Sequence, residues 1–178
     1  MSTYPAIYSG QHVTAQLLSD MQPLTIMATT DQTVTNTATV QNDTTLTAPV
    51  SAGASYLVEI YILASSSSNT LNQGFKTRWS IPTGSSGERA RFGSPNIAGN
   101  YTSRVNTNLQ AAARDTGTDT TYLMTGDNGA HAFFESAVVL IGPNSGNVVF
   151  QFAQATAGGA GTSVARKAGS FMRVQRIA

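Results

Sequence analysis

From Leu24 onward, apolar and polar residues alternate in short runs separated by turn-forming residues. The stretch LTIMATTDQTVTNTATVQNDTTLTAPV interleaves Thr with Val, Ala and Leu, the period of two expected of half-buried strands. Within it QND reads as a turn, as does the stretch from Pro49 to Ala54. SYLVEIYILAS follows, with Tyr56, Val58, Ile60 and Ile62 on one face and Leu57, Glu59, Tyr61 and Leu63 on the other. Both faces are largely apolar, which predicts a central strand covered on both sides, one of them by a neighbouring subunit.

Further along, FKTRWSIP sets Phe75, Trp79 and Ile81 inward and Lys76, Arg78 and Ser80 outward. HAFFESAVVLIG and NVVFQFAQAT read as strands joined through the hairpin turn GPNSGN, and SVARKAGSFMRVQRIA closes the chain as one or two more. The predicted core strands are 55–64, 74–81, 130–141, 147–154 and 170–177, with Val58, Ile60, Trp79, Phe150 and Phe152 inside. SSSSNTLNQG reads as a polar loop and PTGSSGERARFGSPNIAGN as a connection with a short strand around Arg89 to Phe92. YTSRVNTNLQAAARD fits strand in its first half and helix in its second. Short strands without alternating helices predict an all-β fold, an antiparallel β-sandwich or jelly-roll-like domain.

One segment breaks the pattern. In SGQHVTAQLLSDMQPLT, Thr14 suits an N-cap, Val13 and Leu18 have hydrophobic-staple spacing, and Leu17, Leu18 and Met21 share a helical face. Pro23 ends the helix at Gln22. The chain therefore divides into an N-terminal arm, 1–23, and a β-sandwich domain, 24–178. So short a helix holds only when its apolar face is packed, either on its own domain or on a partner chain. Val13, Leu17, Leu18 and Met21 are the candidate docking residues.

Composition narrows the function. At 178 residues the chain suits one domain with a short extension. It has no cysteine, which excludes disulfides, thiolate nucleophiles and cysteine metal sites. Charged residues are 11% of the chain, against about 25% in an average domain, a balance suited to packing among many copies. No apolar run approaches the ~20 residues that span a bilayer, and MSTYPAIYSG lacks signal-peptide features; synthesis in a cytoplasm and no membrane partner are expected. No Lys or Arg precedes Lys76, whereas Asp20, Asp31, Asp43 and Glu59 do; no acid follows Glu135, whereas Arg166, Lys167, Arg173 and Arg176 do. Either this is chance, or acidic and basic surfaces meet between sheets or subunits. With a net charge of +1 and no aromatic interleaving of the basic residues, nucleic acid is not an expected partner.

Catalytic and metal motifs are thin. His131 and Glu135 are four apart, which on a strand means about 13 Å, and no third ligand stands nearby; a strand-edge histidine beside a surface glutamate is the expected reading. Asp115, Asp119 and Asp127 lack EF-hand spacing, leaving a two-loop calcium site as the alternative to a plain GDNG turn. Glu59, Glu88 and Glu135 are scattered, G-x-S-x-G is absent, and IPTGSSGER lacks the Lys-Ser/Thr ending of a phosphate loop. The sequons at Asn42 and Asn100 read as coincidences. No enzyme activity and no cofactor are expected.

YSGQHVTAQLLSDMQPLTI resembles the opening of small β-rich structural proteins of tailed bacteriophages infecting actinobacteria, in which G-Q-x-V/I-T-A-x-L-L leads into a β domain. TTDQTVTNTATVQNDTTLTAPVSAGASYLVEIYI, FKTRWSIPTG and AGSFMRVQRI continue the resemblance, which is poor over 84–135. It implies a virion protein, made in the host cytoplasm. A tail-associated role (minor tail, fibre or tip protein) is preferred over capsid decoration, with a host-surface or carbohydrate-binding adhesin as a further alternative. It implies self-association, as a trimer, and contact with other virion proteins. A host cell-surface glycan would then be met through the Ser65–Asn72 and Gly84–Asn100 loops, and the arm 1–23 would be the docking segment.

Overall fold

The computed structural model describes residues 9–15, 22–67, 74–93, 112–122, 124, 130–157 and 161–178. Twelve strands are seen among them: β1 (Leu24–Met27), β2 (Gln32–Thr35), β3 (Gln41–Val50), β4 (Ser55–Ser66), β5 (Phe75–Ser80), β6 (Ser86–Phe92), β7 (Ala112–Asp115), β8 (Thr120–Tyr122), β9 (His131–Leu140), β10 (Gly146–Gln154), β11 (Ser163–Arg166) and β12 (Phe171–Arg176). All pairings are antiparallel. They build an eight-stranded and a four-stranded sheet.

β4 is the axis of the larger sheet. One edge pairs with β9, which leads out to β6 and β7. The other edge is shared: β12 runs along Tyr56 to Tyr61 and β11 along Ala64 to Ser66, with β1 outside β12 and β2 outside β11. The smaller sheet runs β3-β10-β5-β8. Between the sheets lie Val58, Ile60, Ile62, Phe133 and Val139 from the first, and Leu46, Phe75, Trp79, Val148, Phe150 and Phe152 from the second. Phe75 stacks on Phe152 within its sheet at 5.3 Å and on Phe133 across the gap at 6.1 Å. The core is therefore one continuous apolar layer, and the alternation read from the sequence is its cause.

All five predicted core strands form close to their expected bounds, and all five predicted core side chains are buried. Several loops turn out otherwise. QND is not a turn: Gln41 begins β3, and the chain reverses earlier, where Asn36 takes the left-handed φ of 51°. Asp43 nevertheless behaves as a turn former, since its Oδ1 accepts the Thr45 and Leu46 amides at 2.8 Å. It does so inside a bulge, where residues 43–46 lie opposite the single residue Phe150. Ser65 and Ser66 extend β4, while the short strand expected around Arg89 to Phe92 does form, as the longer seven-residue β6 paired on both edges. The ambiguous stretch ends in strand β7; its residues 101–111 lie outside the described residues. Gly142 packs so closely on the Gly84 backbone that a Cβ there would sit 2.3 Å from the Gly84 oxygen. That contact joins the turns at one end of the sandwich.

Of the predicted docking helix, Val13 is described and is 51% exposed. Leu17, Leu18 and Met21 lie outside the described residues, as does Asp127.

Candidate functional site

The most reactive-looking cluster is sealed inside the sandwich. Glu135, on the inward face of β9, has no solvent exposure, against its expected place on the surface. Its Oε1 accepts from Thr77 Oγ1 at 2.5 Å and from the Tyr122 hydroxyl at 2.7 Å. Its Oε2 accepts from Trp79 Nε1 at 2.6 Å and Arg89 Nη1 at 2.9 Å. Arg89 in turn donates to Thr77 Oγ1, the Thr118 carbonyl and Thr120 Oγ1, and its guanidinium carbon lies 5.9 Å from the centre of the Trp79 ring. Arg89 Nε is the one atom of this cluster left without a partner. Thr77 and Trp79 come from β5 and Tyr122 from β8, while Glu135 and Arg89 belong to the larger sheet, so the network ties the two sheets together.

A glutamate, a tyrosine and an arginine in contact could serve proton transfer, but proton transfer needs access for a substrate. Each of these side chains is at most 1% exposed. Burial, reinforced by the neighbouring Glu135 charge, pushes the Tyr122 phenol far above its ordinary value. The arrangement acts as an internal tie: a buried charge held by a full set of donors. His131 stacks at 6.5 Å on Phe133.

The uneven charge distribution has a structural meaning. Arg166 on β11 clasps Asp43 on β3, with Nε to Oδ2 at 2.7 Å and Nη2 to Oδ1 at 3.2 Å; both side chains are buried, and Nη1 also donates to the Thr30 carbonyl. Lys167 pairs with Asp31 at the surface, and Arg173 meets Glu59 at 3.5 Å across β12 and β4. Acids from the first third of the chain thus meet bases from its end. Asp43–Arg166 joins the two sheets. Asp31 is held below the ordinary carboxylate range, first by its bond to the Lys167 ammonium and next by the Ala168 amide.

Two surfaces remain. An open polar groove of about 400 Å³ lies beside β5, lined in part by Arg78, Ser80, Ser85, Asp115 and Gln151. Arg78 is held there by Asp119 at 2.7 Å. Asp119 is thus engaged by Arg78 and, at 3.5 Å, by Lys76, while Asp115 accepts the Gly117 amide at 2.7 Å. Among the described residues no group of three acid or histidine side chains could hold a metal ion, and no helix is long and apolar enough to cross a membrane. The second surface is the outer face of the larger sheet. Met27, Phe171, Tyr61, Phe134 and Phe92 are successive register partners across β1, β12, β4, β9 and β6. Phe171 stacks on Tyr61 at 5.6 Å, and Phe92 lies 5.8 Å from Phe134. Met27, Val138 and Leu140 on the same face are 59%, 47% and 52% exposed. Sequence reading found this face on β4 alone, because alternation exposes a strand's two sides but not its neighbours. The Glu135–Arg89 tie left no sequence signal beyond charged residues at inward strand positions.

No family model matches the chain, and no curated protein matches it. Among solved structures it is similar to infectious bursal disease virus strain Gx, at 14% identity over 86% of this chain and 40% of that one, with a TM-score of 0.18. The Gt strain of the same virus gives 14% identity over 88% and 41%, with the same TM-score. The chain spans about two fifths of those chains. So low a TM-score assigns it neither fold nor function.

Proposed function

We propose that this chain is a non-enzymatic structural protein of a tailed-bacteriophage virion, tail-associated, that works by packing against other protein surfaces and assembles as a trimer. The observation that carries the reading is the apolar row across five strands on the outer face of the larger sheet. The exposed apolar side chains Met27, Val138 and Leu140 beside that half-buried aromatic row suit contact with another protein surface. The low charge content and the resemblance of the N-terminal segment to phage structural proteins agree with it. Capsid decoration is the alternative location. Quantitative mass spectrometry of purified particles, with antibody labelling in the electron microscope, tests both. Label confined to the tail supports the reading, label spread over the head replaces it with decoration, and absence from particles sinks it.

The arm 1–23 is the docking segment in this proposal. Deleting Met1 to Gln22 should leave the melting curve of the β domain in place while the protein fails to enter particles. A melting temperature lowered by several degrees would mean instead that the helix packs on its own domain, since ~1 kcal/mol shifts a domain of this size by about 2–4 °C.

A host-surface adhesin is the second reading, favoured by the polar groove beside Arg78 and Asp115. Saturable binding to host cell-wall glycans, lost on substitution of Ser80 and Gln151, would promote it.

A further inference from the structure

We propose that the free edge of β3 is a strand-pairing surface that the Gln32 side chain keeps closed, and that without this cap a second copy of the chain pairs with it through its own β3. Among the described residues five strands lie at sheet edges. β1, β2, β7 and β8 are three or four residues long, whereas β3 has ten. A long edge strand presents unpaired amides and carbonyls on which another chain can template. β3 contains three threonines and a valine, residues that suit strands. It has no lysine or arginine, and its one acid, Asp43, is buried against Arg166. The usual guard, a charge projecting from the edge, is missing.

Other devices take its place. Gln32, at the start of β2, reaches across from the larger sheet. Its Nε2 donates to the Asn42 carbonyl at 3.0 Å, and its Oε1 accepts from the Thr44 amide at 2.8 Å and the Thr44 hydroxyl at 3.0 Å. A carbonyl and the amide two residues further on are groups that a strand laid alongside would engage. One side-chain amide therefore occupies the place of a peptide unit of an incoming strand. Asp43 Oδ1 holds the next two amides, of Thr45 and Leu46, within the bulge. Pro49 has no amide hydrogen to offer, which suits an edge. The bulge and the proline belong to β3 itself, whereas the cap comes from another strand and can be removed singly. The inference stands apart from the virion reading, because it concerns a surface through which copies do not join while the cap is in place.

Gln32→Ala in the full chain tests it. Sedimentation should show this variant adding mass beyond the wild-type species, at concentrations about tenfold below any at which the wild type does so, since two hydrogen bonds no longer compete with the incoming strand. Residue-resolved hydrogen exchange locates the contact. The Thr44 amide should be protected in the wild type at every concentration, open in dilute Gln32→Ala, and protected again as that variant associates. Thr44 is exposed, so combining Gln32→Ala with Thr44→Lys loses the cap equally but sets a charge on the edge. The double variant should sediment as the wild type. A Gln32→Ala protein that also sediments as the wild type overturns the proposal. So does association that persists in the double variant, which would trace it to partial unfolding instead of the open edge. Wild-type protein whose Thr44 amide gains protection as concentration rises overturns it too, because the edge would then pair with the cap in place.

Discussion

Two buried arginine–carboxylate pairs join the sheets of this sandwich, and they are built differently. Asp43 takes two of its hydrogen bonds from amides two and three residues ahead, and adds Arg166 from the far end of the chain. Glu135 takes nothing from nearby backbone: its four donors are side chains 13 to 58 residues away. The Asp43 site is a local bulge reinforced by one long-range clasp. The Glu135 site exists only once β5, β6, β8 and β9 are all in place. The first can hold its shape without its arginine, whereas the second has no local structure to fall back on.

That difference orders the expected effects of substitution. Glu135→Ala should be the most damaging, because it strands the Arg89 charge and leaves Thr77, Trp79 and Tyr122 with donors unsatisfied in the core. Breaking a buried pair alone costs about 3–5 kcal/mol, and each further buried orphan adds about 1–3 kcal/mol, so urea denaturation should find the domain largely unfolded. A loss under about 1 kcal/mol would mean that water reaches the site.

Asp43→Asn comes next. The amide oxygen can still accept from Thr45 and Leu46, so the bulge survives while Arg166 loses its counter-charge. A loss of about 2–4 kcal/mol is expected, short of Glu135→Ala. Equal losses at the two positions would erase the distinction between the sites.

Tyr122→Phe sharpens the comparison through pH. The phenol's folded value lies far above its unfolded one, so its contribution is fully present below the ordinary tyrosine value near 10 and is lost as pH rises beyond it. Wild-type stability should fall by up to ~1.4 kcal/mol per pH unit there on this account. The variant should start about 1–2 kcal/mol weaker at neutral pH, having removed one donor to Glu135, and should fall less steeply. Parallel alkaline curves would remove Tyr122 from the account.

The smallest effect belongs to the surface pair Asp31–Lys167. Asp31 has a lowered folded value, so its contribution is present above the unfolded carboxylate range, near 4, and fades as pH falls through the folded value. Asp31→Asn should leave the neutral-pH melting curve almost unmoved and remove a small acid-side dependence. Sensitivity to salt should vanish with it, because exposed pairs are screened.

How much of this was legible beforehand depends on how local each signal is. The alternation Val58, Ile60, Ile62 and the sequence Phe75, Trp79 announced core strands because a strand's two faces are written in its own residues. The Asp43 turn signal was half legible: the backbone-capping habit of aspartate was there, but its placement inside a bulge was not. Glu135 read as a surface charge because only its donors make burial tolerable, and those donors sit on other strands. The segregation of acids and bases along the chain was a true signal left open. Its resolution required knowing that β11 and β12 return beside β4 and that β3 faces them.

By itself, then, the sequence determined the five core strands, the inward faces of β4 and β5 and the all-β class, since each depends on a period of two within one run of residues. Tertiary structure alone decided the pairing order, the two inter-sheet ion pairs and the alignment of Met27, Phe171, Tyr61, Phe134 and Phe92 into one row. Those features depend on which strand lies beside which. That choice is set by the joint burial of many side chains far apart in the chain, which no single stretch of residues encodes.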